Sequence, residues 1–258
     1  MMRFILLLLV IISSYQNTYS NTPPYEFRDV GVDNKINAVL LEDIILTDEF
    51  DKTINLKDLI NNKPTIINFV YLNCPLLCHL LLDGLADVGK RSTHKIPDDY
   101  QIISISIDPR ETNENLKAYK KKYLNQLASQ SGWSFLKGAE DQIKAITSTL
   151  GFNYKYIKRT NDYSHPSVIY FYNGKLINYL EGVTFDLKSF NYSIINSKPT
   201  QTLREKVITY CYYFDPDKQT YTFTIFKILR VLCLITVVIL SIIIIQLLRK
   251  ERRLNKNG

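Results

Sequence analysis

Two cysteines lie close together where an apolar stretch gives way to a segment with helical spacing. Cys74 and Cys78 are four residues apart in NFVYLNCPLLCHLLLDGL, residues 68–85. At the start of a helix, the backbone N–H groups and the helix dipole stabilise a thiolate and lower the pKa of the cysteine. A thiolate is both a nucleophile and a soft metal ligand, so this position alone does not separate redox chemistry from metal binding.

The spacing of the two cysteines helps to distinguish redox chemistry from metal binding. A C-x-x-C pair is the usual dithiol redox arrangement, whereas C-P-L-L-C contains one more residue. Two sulfurs at i and i+4 around a helix start can face one another across a gap that suits a bridging ion, and Cu(I) favours soft thiolates. Two structural thiols, or a plain Cys74–Cys78 disulfide, are the open alternatives, since an oxidising compartment permits a disulfide.

A histidine far away in the sequence is the candidate third ligand. His165 directly precedes the predicted strand PSVIYFY. In a thioredoxin-like sheet, the loop that enters this strand lies against the cysteine-bearing helix start, so we expect His165 to approach Cys74 and Cys78. A nitrogen ligand there would complete a trigonal Cu(I) site. Without that fold, a lone histidine is more often a surface or core residue.

The segments that must position these residues alternate between strand and helix. KPTIINFVY is a continuous apolar run, typical of a strand buried on both faces, and Asn173-Gly174 predicts a hairpin turn. We therefore expect a mixed sheet with helices on both faces, an α/β thioredoxin-like fold with an added β-hairpin. The predicted elements, in chain order, cover residues 45–56, 63–71, 77–90, 100–107, 112–124, 132–138, 139–151, 165–182 and 185–195.

The two ends of the chain have the patterns of a targeting signal and a membrane anchor. MMRFILLLLVIISSYQNTYS has the basic start, short apolar core and small polar end of a signal peptide. VLCLITVVILSIIIIQLL has no charge and, extended towards the N terminus, is long enough to span a bilayer. The basic residues after it predict a cytoplasmic tail and a domain on the periplasmic, extracytoplasmic side.

These patterns divide the chain into six expected segments. They are a signal peptide (1–20), an irregular lead-in (21–40), a thioredoxin-like copper-binding domain (41–197), a juxtamembrane linker (198–224), a transmembrane helix (225–248) and a basic cytoplasmic tail (249–258).

The positive charge of the chain belongs to its ends. The 258 residues include 32 basic and 25 acidic side chains, which gives a formal charge of +7. Eight of the basic residues and one acidic residue lie in or beside the two apolar segments and in the tail, which leaves 24 of each sign in the middle. A neutral middle offers no basic face for phosphate, which argues against a nucleic-acid partner.

Together, these residues resemble the SCO/SenC family of membrane-anchored copper proteins. The matching stretches are FVYLNCPLLC, SISIDPRET, GWSFLKG and YSHPSVIYFYNGKLINYLEG, in family order and spacing, and they cover about residues 40–195. The resemblance implies a thioredoxin-like fold that binds copper through Cys74, Cys78 and His165. It also implies a role in building the dinuclear copper site of cytochrome c oxidase, as a metallochaperone or as a thiol reductant. ITYCYYFDPDKQTY, just ahead of the apolar segment, resembles a subgroup that is anchored at the C terminus.

Two residues depart from the family pattern near the expected ligands. Many members have proline after the second cysteine, where this chain has His79. His79 is either an extra ligand or, on the simpler interpretation, a solvated residue of the first helical turn. Pro166 follows His165 where the family often has threonine, and it biases His165 towards an extended backbone.

Two further residues are accessory candidates. Asp108 ends a predicted core strand, where sites in α/β sheets gather, and it either supports the ligands or caps the turn at Pro109. Cys211 is an unpaired thiol if the other two cysteines act together, and it could meet a partner or a metal.

Two functions from different classes follow. The first is a copper metallochaperone that assists assembly of the copper site of a respiratory cytochrome c oxidase. The alternative is a membrane-anchored thiol–disulfide oxidoreductase, with Cys74 as nucleophile, Cys78 as resolving thiol and a dispensable His165. Apart from such reductase activity, we do not expect a classical enzyme. The expected partners are the copper-bearing oxidase subunit, or another copper or thiol protein, and the membrane.

Overall fold

The secondary structure alternates between strands and helices through most of the chain. The computed structural model describes residues 29–40, 43–61, 63–72, 77–215, 220–223 and 225–254, so the predicted signal peptide lies outside the described residues. The strands are β1 (Gly31–Val32), β2 (Ile45–Thr47), β3 (Thr53–Asn55), β4 (Thr65–Val70), β5 (Gln101–Ser106), β6 (Trp133–Leu136), β7 (Phe152–Asn153), β8 (Lys155–Ile157), β9 (Asp162–Ser164), β10 (Val168–Tyr172), β11 (Leu176–Glu181), β12 (Tyr212–Asp215) and β13 (Thr220–Phe223). The helices are α1 (Leu56–Ile60), α2 (Leu77–Arg91), α3 (Asn113–Gln126), α4 (Glu140–Leu150), α5 (Leu187–Ser197), α6 (Leu203–Cys211) and α7 (Ile225–Leu254).

A five-stranded mixed sheet forms the centre of the molecule. Its strand order is β11-β10-β4-β5-β6. β4, β5 and β6 run parallel, and β10 runs antiparallel to both β4 and β11. The predicted mixed sheet is therefore confirmed, and β2 pairs with β3 as the added hairpin.

Helices cover both faces of this sheet because the central strands are apolar on both sides. All six residues of β4 are buried. Ile66 and Val70 face a core under α2, α3 and α5, whereas Ile67 and Phe69 face a second core under α1 and α4. Burial of both strand faces matches the continuous apolar pattern of the sequence.

Helix ends in the sheet-and-helix region follow local capping rules. The Thr112 hydroxyl accepts a hydrogen bond from the Asn115 N–H at 3.2 Å, so Thr112 is the N-cap of α3. α4 ends at Gly151, whose φ of 73° lies in the left-handed region. A left-handed residue at this position is the usual helix stop, and glycine adopts it without a steric penalty.

The region expected to be a juxtamembrane linker contains α6 and the β12–β13 hairpin. We call α6, this hairpin and α7 the anchor segment. Phe214 of β12 is buried in the core beneath α5. The centroid of its ring lies 6.3 Å from that of the Tyr179 ring. Within α7, Leu229–Leu247 is long and apolar enough to cross a membrane. The anchor segment therefore joins the folded domain through side-chain packing as well as through the backbone.

Candidate metal site

His165 and the start of α2 lie at one end of the central sheet, where β4 and β5 end and β10 begins. We call this the site edge. Cys78 is the second residue of α2, so its backbone is in the first helical turn, as predicted. Its side chain and all of Cys74 lie outside the described part of the structure. The proposed Cys74–Cys78 pairing therefore stays a prediction.

His165 lies between β9 and β10 with its ring partly buried. Its Nδ1 lies 3.0 Å from the carbonyl oxygen of Pro166, to which Nδ1–H can donate a hydrogen bond. In that tautomer the lone pair is on Nε2, which is then the atom able to bind a metal. Burial lowers the pKa of His165 below its usual value, and the hydrogen bond to Pro166 opposes this shift. The imidazole is therefore neutral at pH 7, the form that binds metals.

Strand register brings the His165 loop to the cysteine-bearing end of β4. Ile169 of β10 pairs with Asn68 of β4 in antiparallel register. The residues before β10 must therefore lie beside the residues after β4, because antiparallel strands run past each other. A side-chain contact agrees with this placement, since the ring centroids of Tyr71 and Tyr163 lie 5.3 Å apart.

The contact between Tyr71 and Tyr163 links segments that are close in sequence to the expected ligands. Tyr71 is three residues before Cys74, and Tyr163 is two residues before His165. Among the side chains that the structure describes, no three of the types His, Cys, Asp and Glu form a metal-binding group. Two of the three expected ligands have no described side chain, so the ligand set stays a prediction.

Tyr119 of α3 contacts the chain on both sides of the cysteine pair. Its hydroxyl donates to the Leu72 carbonyl oxygen at 2.8 Å, two residues before Cys74. The same hydroxyl lies 3.1 Å from Nε2 of His79, and the two rings stack with centroids 5.4 Å apart. His79 is therefore half-buried rather than fully solvated. Sequence reasoning missed this contact because Tyr119 is 40 residues away and carries no local signal.

Asp108 is a buried carboxylate at the end of β5. It accepts hydrogen bonds from the backbone N–H of Arg110 at 3.0 Å and from its guanidinium at 2.9 and 3.0 Å. The hydrogen bonds that the Arg110 guanidinium donates to Asp108 raise the pKa of that guanidinium. The turn-capping interpretation of Asp108 fits this geometry directly. A supporting role at the site edge stays a prediction.

A second buried carboxylate lies beside this turn. Glu111 is 3% exposed and accepts hydrogen bonds from the Ser106 hydroxyl at 3.2 Å and from the Thr112 N–H at 3.1 Å. Asn115 also donates to it at 2.9 Å. Asp108 and Glu111 are thus both satisfied by donors at the end of β5, as buried carboxylates require.

An open cavity of about 900 Å³ lies next to the site edge. Three tyrosines of the β7–β9 region contribute to it, and burial raises the pKa of Tyr154 to about 12. The Arg110 guanidinium lies 5.8 Å from the centre of the Tyr156 ring. Sequence reasoning missed the tyrosines that line this cavity, because β8 and β9 have only three residues each.

The remaining cysteines and histidine are elsewhere. Cys211 is the last residue of α6, and its side chain is not described. Cys233 is an exposed thiol of α7. His94 is near Asp99, at the opposite edge of the sheet, with Nδ1 and Oδ1 3.6 Å apart.

Comparisons with known proteins agree on one family. A family model described as SCO1/SenC matches residues 35–184. A putative electron transfer protein from Aquifex aeolicus VF5 is 22% identical, with 66% of this chain and 98% of that chain covered and a TM-score of 0.57. A SCO1/SenC family lipoprotein from Bacillus anthracis str. Ames is 22% identical, with 62% and 96% covered and a TM-score of 0.53.

A third structure, BsSco, is described as a member of the Sco family of cytochrome c oxidase assembly proteins with a disulfide switch. It is 18% identical, with 66% of this chain and 99% of that chain covered and a TM-score of 0.53. These likenesses confirm the predicted thioredoxin-like fold. No curated protein matches the chain.

Proposed function

Because the chain belongs to the SCO1/SenC family, we propose that it is a copper-binding factor that assists assembly of the copper site of a respiratory cytochrome c oxidase. Its ligands are Cys74, Cys78 and His165. The observation that carries this ligand set is the strand register, which brings the His165 loop beside the end of β4. The Tyr71–Tyr163 ring contact supports the same juxtaposition.

Two features of the site edge favour metal binding by the proposed ligands. The first turn of α2 favours a thiolate at Cys78 through its N–H groups and dipole. Burial keeps His165 neutral, and its Nδ1–H donation to Pro166 orients the ring. Two thiolates and one imidazole match the preference of Cu(I) for soft ligands.

Copper is the cargo of this protein. A three-coordinate site leaves an incoming thiolate of the acceptor a direction of approach, so release proceeds by ligand exchange. The acceptor is the copper-bearing oxidase subunit or another copper or thiol protein. The oxidised cysteine pair cannot bind Cu(I), so a Cys74–Cys78 disulfide would switch the site off.

A thiol–disulfide oxidoreductase is the second candidate function. The disulfide switch named for BsSco supports it, because that protein shares this fold. In this case Cys74 attacks a partner disulfide, Cys78 resolves the mixed disulfide, and the substrate is reduced as the pair is oxidised. His165 has no required part in that exchange.

The proposed location is the outer face of a membrane. Residues 1–20 act as a signal peptide, 21–40 as a lead-in and 41–197 as the copper-binding domain. Residues 198–224 connect this domain to the span at 225–248, and 249–258 remain on the cytoplasmic side. The apolar length of α7 and the basic residues after it support this topology.

Anaerobic Cu(I) titration of the reduced full chain in detergent, against a competing chelator, tests the proposal. We expect one tight site per chain, a more than tenfold loss of affinity in His165→Ala, and loss of the site in Cys74→Ser and Cys78→Ser. His94→Ala is the matched control and keeps full affinity. Equal affinity in the wild type and His165→Ala would contradict the copper function. Retention of disulfide reductase activity by that variant would then favour the oxidoreductase.

A further inference from the structure

The anchor segment presents an apolar face that the folded domain does not cover. Leu203, Val207 and Tyr210 of α6 are 83%, 64% and 47% exposed. Their i, i+4, i+7 spacing places them on one side of the helix. Exposed apolar side chains that share a face, rather than being scattered singly, indicate a contact surface.

α6 is built firmly into the structure, so this exposure is not that of a loose helix. Thr202 and Glu205 form a reciprocal capping box, with Thr202 N–H donating to Glu205 at 2.8 Å and Glu205 N–H donating to the Thr202 hydroxyl at 3.3 Å. Lys198 also donates to Glu205 at 2.8 Å. At the other end, Tyr212 lies against Tyr192 of α5, with ring centroids 4.9 Å apart.

The same helix lies beside the candidate membrane span. Tyr212, which follows α6, pairs with Phe223, which precedes α7. The end of α6 and the start of α7 are therefore adjacent, and the two helices are in contact. The apolar span begins at Leu229, one helical turn after Ile225. One turn rises about 5 Å, which is comparable to the thickness of one headgroup layer, about 5–7 Å.

We propose that α6 is an interfacial helix whose Leu203, Val207 and Tyr210 insert into the headgroup layer of the membrane that α7 crosses. Continuity with the span identifies lipid as the occupant of this face. Arg204 and Lys206 on α6 and Arg230 on α7 are exposed and suit anionic headgroups. A tyrosine with a half-exposed ring is typical of this interface. The inference rests on the membrane anchoring in the proposed function.

The consequence is that the folded domain keeps a fixed orientation relative to the membrane. A single span with a flexible linker would let the domain turn freely. Two membrane contacts, α6 and α7, joined to the core through Phe214, hold it in one orientation. The site edge is then presented to its acceptor in a defined direction.

Tryptophan quenching in the reconstituted full chain tests this inference. Val207→Trp is placed in vesicles of phosphatidylcholine and phosphatidylglycerol that carry a nitroxide quencher near the headgroups. We expect at least twofold stronger quenching than for Phe50→Trp, a domain position that is 71% exposed, and protection from aqueous iodide. The wild type supplies the background of Trp133, which is 1% exposed.

Leu240→Trp, with a quencher deep in the bilayer, separates this inference from the proposed anchoring. If Leu240→Trp is quenched and Val207→Trp remains as open to iodide as Phe50→Trp, the span is supported and the interfacial helix is wrong. If neither lipid quencher acts, both are wrong. Protection of Val207→Trp from iodide without lipid quenching would show a protein on this face, a second copy included, and would also overturn the inference.

Charge reversal gives a second test, which is read out through the same Val207→Trp signal. Arg204→Glu combined with Lys206→Glu changes only exposed side chains, so the fold is retained. We expect this variant to lose Val207→Trp quenching by at least twofold in vesicles with phosphatidylglycerol. An unchanged signal would contradict a role for anionic headgroups.

Discussion

The site edge and the anchor segment depart from the usual distribution of side chains in opposite directions. At the site edge, Asp108 and Glu111 are 2% and 3% exposed, each held by several donors. In the anchor segment, Leu203 and Val207 stand exposed on a well-fixed helix. Buried charge and exposed apolar surface are the informative exceptions in a folded protein. In our proposals, the first lies beside the copper site and the second contacts the membrane.

The comparison predicts that stability and copper binding separate when the two regions are changed. Phe214→Ala removes a buried ring of the anchor segment that packs on Tyr179. We expect it to lower the free energy of unfolding by about 3 kcal/mol and to leave Cu(I) affinity unchanged. Denaturant unfolding in detergent and chelator competition measure the two effects. Phe50→Ala, at an exposed ring, is the control and costs far less. A copper affinity that falls with Phe214→Ala would remove the distinction between the regions.

At the site edge, a buried negative charge can be removed by a substitution that keeps the shape of the side chain. Asp108→Asn keeps an oxygen for the Arg110 N–H but loses the ion pair with its guanidinium. We expect a loss of about 2 kcal/mol in unfolding free energy. Asp87→Asn breaks an exposed ion pair with Arg91 and serves as the control, with little effect.

Copper affinity decides between the two interpretations of Asp108. If it only caps the turn, Asp108→Asn retains the wild-type Cu(I) affinity once the variant is folded. If it also supports the ligands, affinity falls by several-fold in the same titration.

A smaller effect is expected from the hydroxyl that links both sides of the cysteine pair. Tyr119→Phe loses the hydrogen bond to Leu72 and the contact with His79. We expect a loss of about 1 kcal/mol in stability and a several-fold lower Cu(I) affinity. Tyr123→Phe, on the same helix, is the matched control, because its hydroxyl contacts Lys122 instead. Equal copper affinities of the two variants would show that Tyr119 does not hold the site.

The smallest expected effect is a pH dependence of the anchor segment. The hydrogen bond from Lys198, followed by that from the Thr202 N–H, lowers the pKa of Glu205 to about 2. A lowered carboxyl pKa stabilises the fold fully above the ordinary value, 4.5, and this contribution is lost as the pH falls from 4.5 towards 2. The difference in melting temperature between wild type and Glu205→Gln should therefore narrow between pH 5 and pH 3. A constant difference across that range would contradict the assignment.

Most of the central fold could be predicted from local patterns. β4 was expected as a buried strand because its continuous apolar, β-branched run is typical of a strand covered on both faces. Helix ends such as those at Thr112 and Gly151 are accessible to sequence reasoning because capping depends on one residue and its near neighbours. The position of the His165 loop followed from the expected sheet, since antiparallel register fixes which strand ends meet.

The parts that could not be predicted depend on long-range contacts. β8 and β9 are too short for a period, so the tyrosines they carry gave no strand signal. The stacking of His79 on Tyr119 depends on how α2 and α3 pack. α6 and the β12–β13 hairpin lie in residues 198–224, which were expected as a linker, and their packing involves the distant contact of Phe214 with Tyr179.

The place of Phe214 in the core has a consequence for the synthesis of the protein. This ring packs in a core cluster that includes residues of β10, β11 and α5, although it lies beyond them in the chain and shortly before α7. Chains are made from the N terminus, and domains fold as their residues emerge. The core is therefore complete only when the chain has been made almost to the span. A proteolytic cut between α5 and α6 would remove Phe214 together with the anchor, so release of the domain from the membrane in this way would also weaken it.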